Sequence, residues 1–147
     1  MFLGAASLIL DAKSRLAIPA RHRSALVAGS DGTLVLTGHP HHCLLMYPLP
    51  AWGPICAKVM EKPNLDADPA AMKRLLLGYA REETMDAAGR VLVAPELRDW
   101  AKLDRQVWLV GQGTHFELWS DEGWKAQQSR MDGLATQTPG VFADLVL

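Results

Sequence analysis

Short apolar runs separated by turn residues dominate the chain. Runs of about four to six residues rich in Leu, Ile and Val flank Asp11-Ala12-Lys13-Ser14-Arg15 and again Asp86-Ala87-Ala88-Gly89-Arg90, which predicts a strand, a reversal and a second strand in each place. Asp suits the start of such a turn because its carboxylate accepts backbone N–H groups, and Gly89 suits a position with positive φ. Pro19 and Pro95 then fit the first turn of short helices expected over Ala20 to Val27 and Glu96 to Ala101, where a missing N–H costs nothing. Two further strands follow each helix, at Leu34 to Gly38 and Leu44 to Tyr47, then at Val107 to Gly111 and Phe116 to Trp119. The pattern is ββαββ, twice.

The landmarks recur at a nearly fixed offset. Asp11 and Asp86 are 75 residues apart, Pro19 and Pro95 76, Leu34 and Val107 73, and Trp52 and Trp124 72, which marks an internal duplication. Strands this short do not make a stable sheet alone, so the copies must pack together. The first copy covers residues 5–52, a helical linker 53–80 and the second copy 81–125. In the linker, Trp52, Ile55, Cys56, Val59 and Met60 form a helical stripe, with regular helix expected from about Pro54. A second helix is expected from Pro69, capped by Asp68 and stopped at Gly78. Residues 126–147 are a C-terminal tail, of which Thr136 to Leu147, drifting to Gln, Thr, Gly and Pro, is expected to be loosely held.

With 147 residues, 49% apolar and 21% charged, the chain can bury a core, and its balance of charge excludes a disordered polyelectrolyte. The formal charge of -1 argues against holding nucleic acid by bulk positive charge alone. That average hides an asymmetry, because residues 1–50 carry +2 and residues 51–147 carry -3. Two cysteines, Cys43 and Cys56, make no disulfide framework. Met1-Phe2-Leu3-Gly4 lacks a charged start and a long apolar run, and stretches such as Cys43 to Met46 fall far short of the roughly 20 residues that span a bilayer. A cytoplasmic protein without membrane contact is expected.

These features resemble the MraZ transcriptional regulators, whose two tandem copies are related to the SpoVT/AbrB DNA-binding domain. The resemblance covers residues 1 to 125. It rests on Asp11-Ala12-Lys13-Ser14-Arg15-Leu16, Leu44-Leu45-Met46-Tyr47-Pro48-Leu49-Pro50-Ala51-Trp52, Arg74-Leu75-Leu76-Leu77-Gly78, Asp86-Ala87-Ala88-Gly89-Arg90, Leu109-Val110-Gly111-Gln112 and Phe116-Glu117-Leu118-Trp119. It implies an α+β, mainly β fold: a swapped-hairpin AbrB-like β-barrel built by the two ββαββ copies, with flanking helices. It also implies a nucleoid-associated repressor that self-associates into ring-like homo-oligomers. Such a repressor binds repeated boxes in double-stranded promoter DNA of the cell-division and cell-wall gene cluster, including its own promoter.

The positive excess of the first copy falls mostly on the first turn and the helix after it. Arginine can give two parallel hydrogen bonds to guanine O6 and N7, whereas lysine more often contacts phosphate. Arg15 is therefore the expected base or phosphate reader and Lys13 its backbone anchor, with Arg21, His22 and Arg23 secondary and Arg90 a weaker contact in the second copy. Asp11, Ser14, Asp86 and Gly89 are expected to structure the turns. An ion pair between Asp11 and Arg15, and between Asp86 and Arg90, explains the same residues without DNA, and the two readings are compatible. Ser14 stands where the family has Gly; positive φ there costs about 1 kcal/mol. Ala88 replaces Lys13 in the second copy.

Other chemistries find less support. His39-Pro40-His41-His42-Cys43 contains imidazole and thiolate ligands but no second cluster completes a zinc site, so an exposed polar loop is expected and no metal or cofactor. Trp52, Trp108, Trp119 and Trp124 recur at equivalent positions, which favours packing over base stacking. Gly111-Gln112-Gly113 precedes a strand rather than a helix, Glu82 and Glu83 point to opposite strand faces, and no nucleophile has a base at a fitting spacing, so an enzyme is not expected. The rival from another class is an oligomeric protein-binding scaffold or antitoxin-like module on the same barrel, which the near-neutral charge suits.

Overall fold

The computed structural model describes residues 1–137, 140 and 142–145. The first copy supplies β1 (Ala5–Ile9), β2 (Arg15–Ala17), α1 (Ala20–Ser30), β3 (Thr33–His39) and β4 (Cys43–Pro48). Two helices follow, α2 (Leu49–Met60) and α3 (Ala67–Leu76). The second copy supplies β5 (Arg81–Thr84), β6 (Arg90–Leu92), α4 (Pro95–Trp100), β7 (Gln106–Gly111) and β8 (Phe116–Ser120), and α5 (Asp121–Asp132) and α6 (Leu134–Gln137) close the order. The fold is α+β and mainly strand.

Six strands form one antiparallel sheet in the order β1-β7-β8-β4-β3-β5, and β2 and β6 form a separate two-stranded ribbon. Each copy's first strand lies on the other copy: β1 pairs β7, with Ala5 opposite Val110, and β5 pairs β3, with Thr33 opposite Thr84. The copies also join through β4 and β8, and through β2 and β6. The expected barrel is not closed by this hydrogen bonding. The chain leaves both sheet edges, β1 and β5, through the Asp turns, and the continuing strands pair with each other instead of completing a ring.

The core explains why neither copy stands alone. Leu16 and Val91 face each other across the ribbon, both fully buried, and join Leu34, Leu36, Leu44 and Met46 from the first copy and Val107, Leu109, Phe116 and Leu118 from the second in one cluster. The alternate residues Val35, Leu45 and Tyr47 face the other way and are buried with Trp52 of α2. With both faces covered, β3 and β4 read as continuous apolar runs rather than alternating ones.

Helix boundaries differ from the sequence expectation where tertiary packing decides them. α1 runs to Ser30 and stops at Asp31, whose φ of 53° turns its N–H back toward the carbonyls of Leu26 and Val27. α2 begins at Leu49 rather than near Pro54; Pro54 lies inside it and removes one ladder bond, while Trp52 and Val59 are buried. α3 has Asp66 rather than Asp68 at its cap position, and Asp68 sits in its first turn, where its charge complements the helix dipole. α5 carries helix through residues 126–132, placed in the tail by sequence, because Ser120 caps it by accepting the N–H of Gly123 at 2.9 Å. The loosely held segment expected from Thr136 onward lies, for residues 138, 139, 141, 146 and 147, outside the described residues.

Thr37 ties the linker to the sheet. Fully buried on β3, its hydroxyl donates to the carbonyl of Leu76 at 2.8 Å, with that of Leu75 at 3.3 Å, satisfying the end of α3. Replacing Thr37 by the isosteric valine leaves the Leu76 carbonyl without this donor, while that of Leu75 keeps the Tyr79 N–H at 3.4 Å, and urea unfolding should show a loss of about 1–3 kcal/mol.

Candidate nucleic-acid interface

Both reversals are built by the same hydrogen bonds. Asp11 Oδ1 accepts the backbone N–H groups of Lys13 and Arg15, each at 2.9 Å, and its Oδ2 accepts Arg15 Nε at 2.7 Å. Asp86 repeats the arrangement, with Ala88 N–H at 3.0 Å, Arg90 N–H at 2.9 Å and Arg90 Nε at 2.8 Å. In each case the backbone N–H of the arginine is the main cause that holds the carboxyl below its ordinary range, and the guanidinium adds to it. Ser14 and Gly89 both take left-handed backbone, at φ 61° and 75°. Among the described residues the Nη groups of Arg15 and Arg90 have no hydrogen-bond partner, so the ion pair orients each guanidinium and leaves its outer edge open.

The ribbon brings the two turns together. Arg15 lies opposite Leu92, Leu16 opposite Val91, and Ala17 opposite Arg90. Because Leu16 and Val91 point into the core, strand alternation puts Arg15, Ala17, Arg90 and Leu92 on the outer face. The two arginines sit on a diagonal of that face, a spacing of roughly 7–8 Å between backbones. Lys13 is exposed at the first turn.

Each helix braces the turn of the other copy. Arg23 on α1 donates from Nε to the carbonyl of Ile18 at 2.7 Å and lies against Gly89 so closely that a Cβ there would be 2.3 Å from Nε. Arg98 on α4 donates to the Ser14 hydroxyl. Backbone bonds match across the pair, from Ile18 N–H to Gly89 O at 2.9 Å and from Val93 N–H to Ser14 O at 2.8 Å. Arg98 is missing from the sequence candidates although it stands 75 residues after Arg23, the offset that relates the two aspartates. Arg21 is exposed, with Nε 3.2 Å from His22 Nε2, whereas its counterpart in the second copy is Glu96, paired with Arg81. At this pair of positions the first copy carries a cation and the second an anion.

The structure places His22 in the core. It is buried, edge-on to Phe116 at 5.0 Å and Phe2 at 5.7 Å, because its place one turn before Leu26 is on the inward face of α1. Burial, reinforced by the charge of Arg21, lowers its pKa and so favours the neutral imidazole among these rings.

The remaining candidates have structural partners. The His42 ring stacks on Trp100 at 4.2 Å, His39 and His41 meet edge-on at 4.8 Å, and burial pushes the Cys43 thiol well above its ordinary range. Among the described residues no three metal-ligating side chains converge. Trp52 and Trp119 are buried, and Trp108, half-buried, donates from Nε1 to Asp121 at 3.0 Å and lies 6.1 Å from Trp124. No helix of the described residues is long and apolar enough to cross a membrane.

The profile of the family described as "MraZ protein, putative antitoxin-like" matches the chain twice, over residues 1–75 and 76–139. The transcriptional regulator MraZ of Dechloromonas aromatica (strain RCB) is 57% identical over 148 residues, covering 100% of both chains. That of Aromatoleum aromaticum (strain DSM 19018 / LMG 30748 / EbN1) is 60% identical over 149 residues, again covering 100% of both. That of Azoarcus sp. (strain BH72) is 64% identical over 132 residues, 89% of this chain and 88% of the relative. The double match and the full-length identity lead to one conclusion: this chain belongs to the MraZ family, a family of transcriptional regulators and not of enzymes.

Proposed function

We propose that the outer face of the β2/β6 ribbon binds double-stranded promoter DNA sequence-specifically and that the protein acts there as a repressor. The observation that carries this reading is the pair of arginines on one ribbon face, each oriented through Nε by its aspartate and open at Nη. A two-stranded ribbon fits the major groove of B-DNA, where an open guanidinium edge matches guanine O6 and N7. In this reading Lys13 and Arg21 contact phosphates, Arg23 adds positive charge beside them, and Arg90 is the weaker reader because its turn carries Ala88 in place of Lys13.

The exchange of β1 and β5 between copies supports the swapped-hairpin arrangement of AbrB-like proteins, here within one chain. Resemblance to MraZ proteins extends the reading to repeated boxes upstream of the cell-division and cell-wall gene cluster, including the protein's own promoter, and to a cytoplasmic, nucleoid-associated location. Self-association into a ring would present many such ribbons at high effective concentration, which offsets the low charge of each protomer. An apolar cleft of about 600 Å³ lined by Met72, Leu75, Tyr79 and Trp100 offers a surface for self-association, and the same cleft favours the second reading, a protein-binding scaffold.

Three outcomes test the DNA reading. Arg15→Ala should lower affinity for a promoter fragment at least tenfold while size-exclusion chromatography shows assembly unchanged, and Arg90→Ala should do less; loss of assembly or folding in Arg15→Ala would make the ion pair purely structural. Asp11→Asn keeps an oxygen for the two backbone N–H groups but loses the guanidinium pair, so discrimination between promoter and random DNA should fall with the fold retained. Raising salt should weaken binding with a log–log slope of about 0.9 per phosphate contact, and no shift of a promoter fragment at low salt by assembled protein removes the reading in favour of the scaffold.

A further inference from the structure

We propose that Arg98 is a positioning residue for the DNA-reading turn of the first copy: carried on α4 of the second copy, it pins Ser14 so that Lys13 and Arg15 are set before DNA arrives. The inference rests on the proposed role of that turn, and it assigns a function to a residue on the opposite half of the duplication.

The argument comes from a difference between two otherwise equivalent turns. Each receives one backbone bond from the other copy, Val93 N–H to Ser14 O and Ile18 N–H to Gly89 O. Each also has an arginine of the other copy's helix lying over it, Arg98 at the first and Arg23 at the second. At the second turn Gly89 has no side chain to bind, and the Arg23 Nε bond goes to Ile18 of its own copy. At the first turn the Ser14 hydroxyl accepts a hydrogen bond from Arg98, so a side-chain tether spans the copies there and not at its counterpart. Both Arg98 and Ser14 are half-buried, which shields the charge-assisted bond from water.

That tether accounts for a residue the turn would otherwise disfavour. Ser14 holds φ 61°, a left-handed conformation that penalises any residue with a Cβ and that Gly89 adopts freely. The hydroxyl that comes with the Cβ is the group that Arg98 holds. The tethered turn is also the one with the exposed lysine, while the untethered turn has Ala88 at that position. Strain kept where a fixed geometry is needed, and offset by a bond from elsewhere in the fold, is a pattern of functional turns.

A double-mutant cycle with Ser14→Gly and Arg98→Ala tests this, read as the ratio of affinities for a promoter fragment and for random duplex DNA. Each single change should lower the ratio about tenfold, the second change should add little to the first, and Arg98→Lys, which keeps a donor, should restore part of it. The slope of affinity against salt should stay that of the wild type, since no phosphate contact is removed. Additive losses with a shallower slope would make Arg98 a direct DNA contact and overturn the proposal, as would an unchanged ratio. Amide hydrogen exchange on the free protein gives an arm independent of DNA: Lys13, Ser14 and Arg15 should exchange faster in Arg98→Ala, or Lys13 and Arg15 in Ser14→Gly if the former does not fold. Wild-type protein that fails to bind a promoter refutes the DNA reading alone, whereas unchanged exchange refutes the tether.

Discussion

Neither half of the chain can finish a sheet with its own strands, because β1 needs β7 and β5 needs β3. The rest of the architecture depends on this exchange. It makes the duplication one folding unit, brings β2 onto β6, and seals the joint with Leu16 and Val91, which have no exposed surface at all. A separated half would expose those side chains and an unpaired edge at once, and both are strongly unfavourable in water. The outer ribbon face exists only because the inner face is shared.

On that base the turns convert a structural need into a chemical surface. A reversal between short strands needs its amides satisfied, and the aspartate carboxylate satisfies two of them. The same carboxylate then fixes the arginine of the next strand. The ion-pair explanation and the proposed DNA contact of the Asp-x-x-x-Arg pattern are thus compatible in one geometry: the pair engages Nε and leaves the Nη groups without a hydrogen-bond partner among the described residues.

Much of this is legible in the residues. The repeat offset locates both turns, both short helices and the strands after them, since apolar runs and turn residues are local signals. Positive φ at Ser14 is expected from alignment with Gly89 inside the same chain. What stays hidden is what contacts beyond the local pattern decide. His22 looks like one of a run of polar residues between Arg21 and Arg23, yet helical rotation turns it toward Phe2 and Phe116. The partners of β1 and β5 are likewise invisible, because periodicity reports which face of a strand is buried and not which strand lies beside it. Arg98 escapes notice since its hydrogen-bond partner lies in a turn 84 residues away.

Fusion of the two copies into one polypeptide has a consequence for how the outer ribbon face can vary. In a dimer of identical chains every substitution is made twice, related by the symmetry axis, and the surface must remain self-similar. Here Lys13 faces an alanine at the related position, Arg21 a glutamate, and Ser14 a glycine. Each change alters one half of the head and leaves the other as it was. Covalent linkage has released the two halves from having to agree, so one can hold the scaffold while the other diverges.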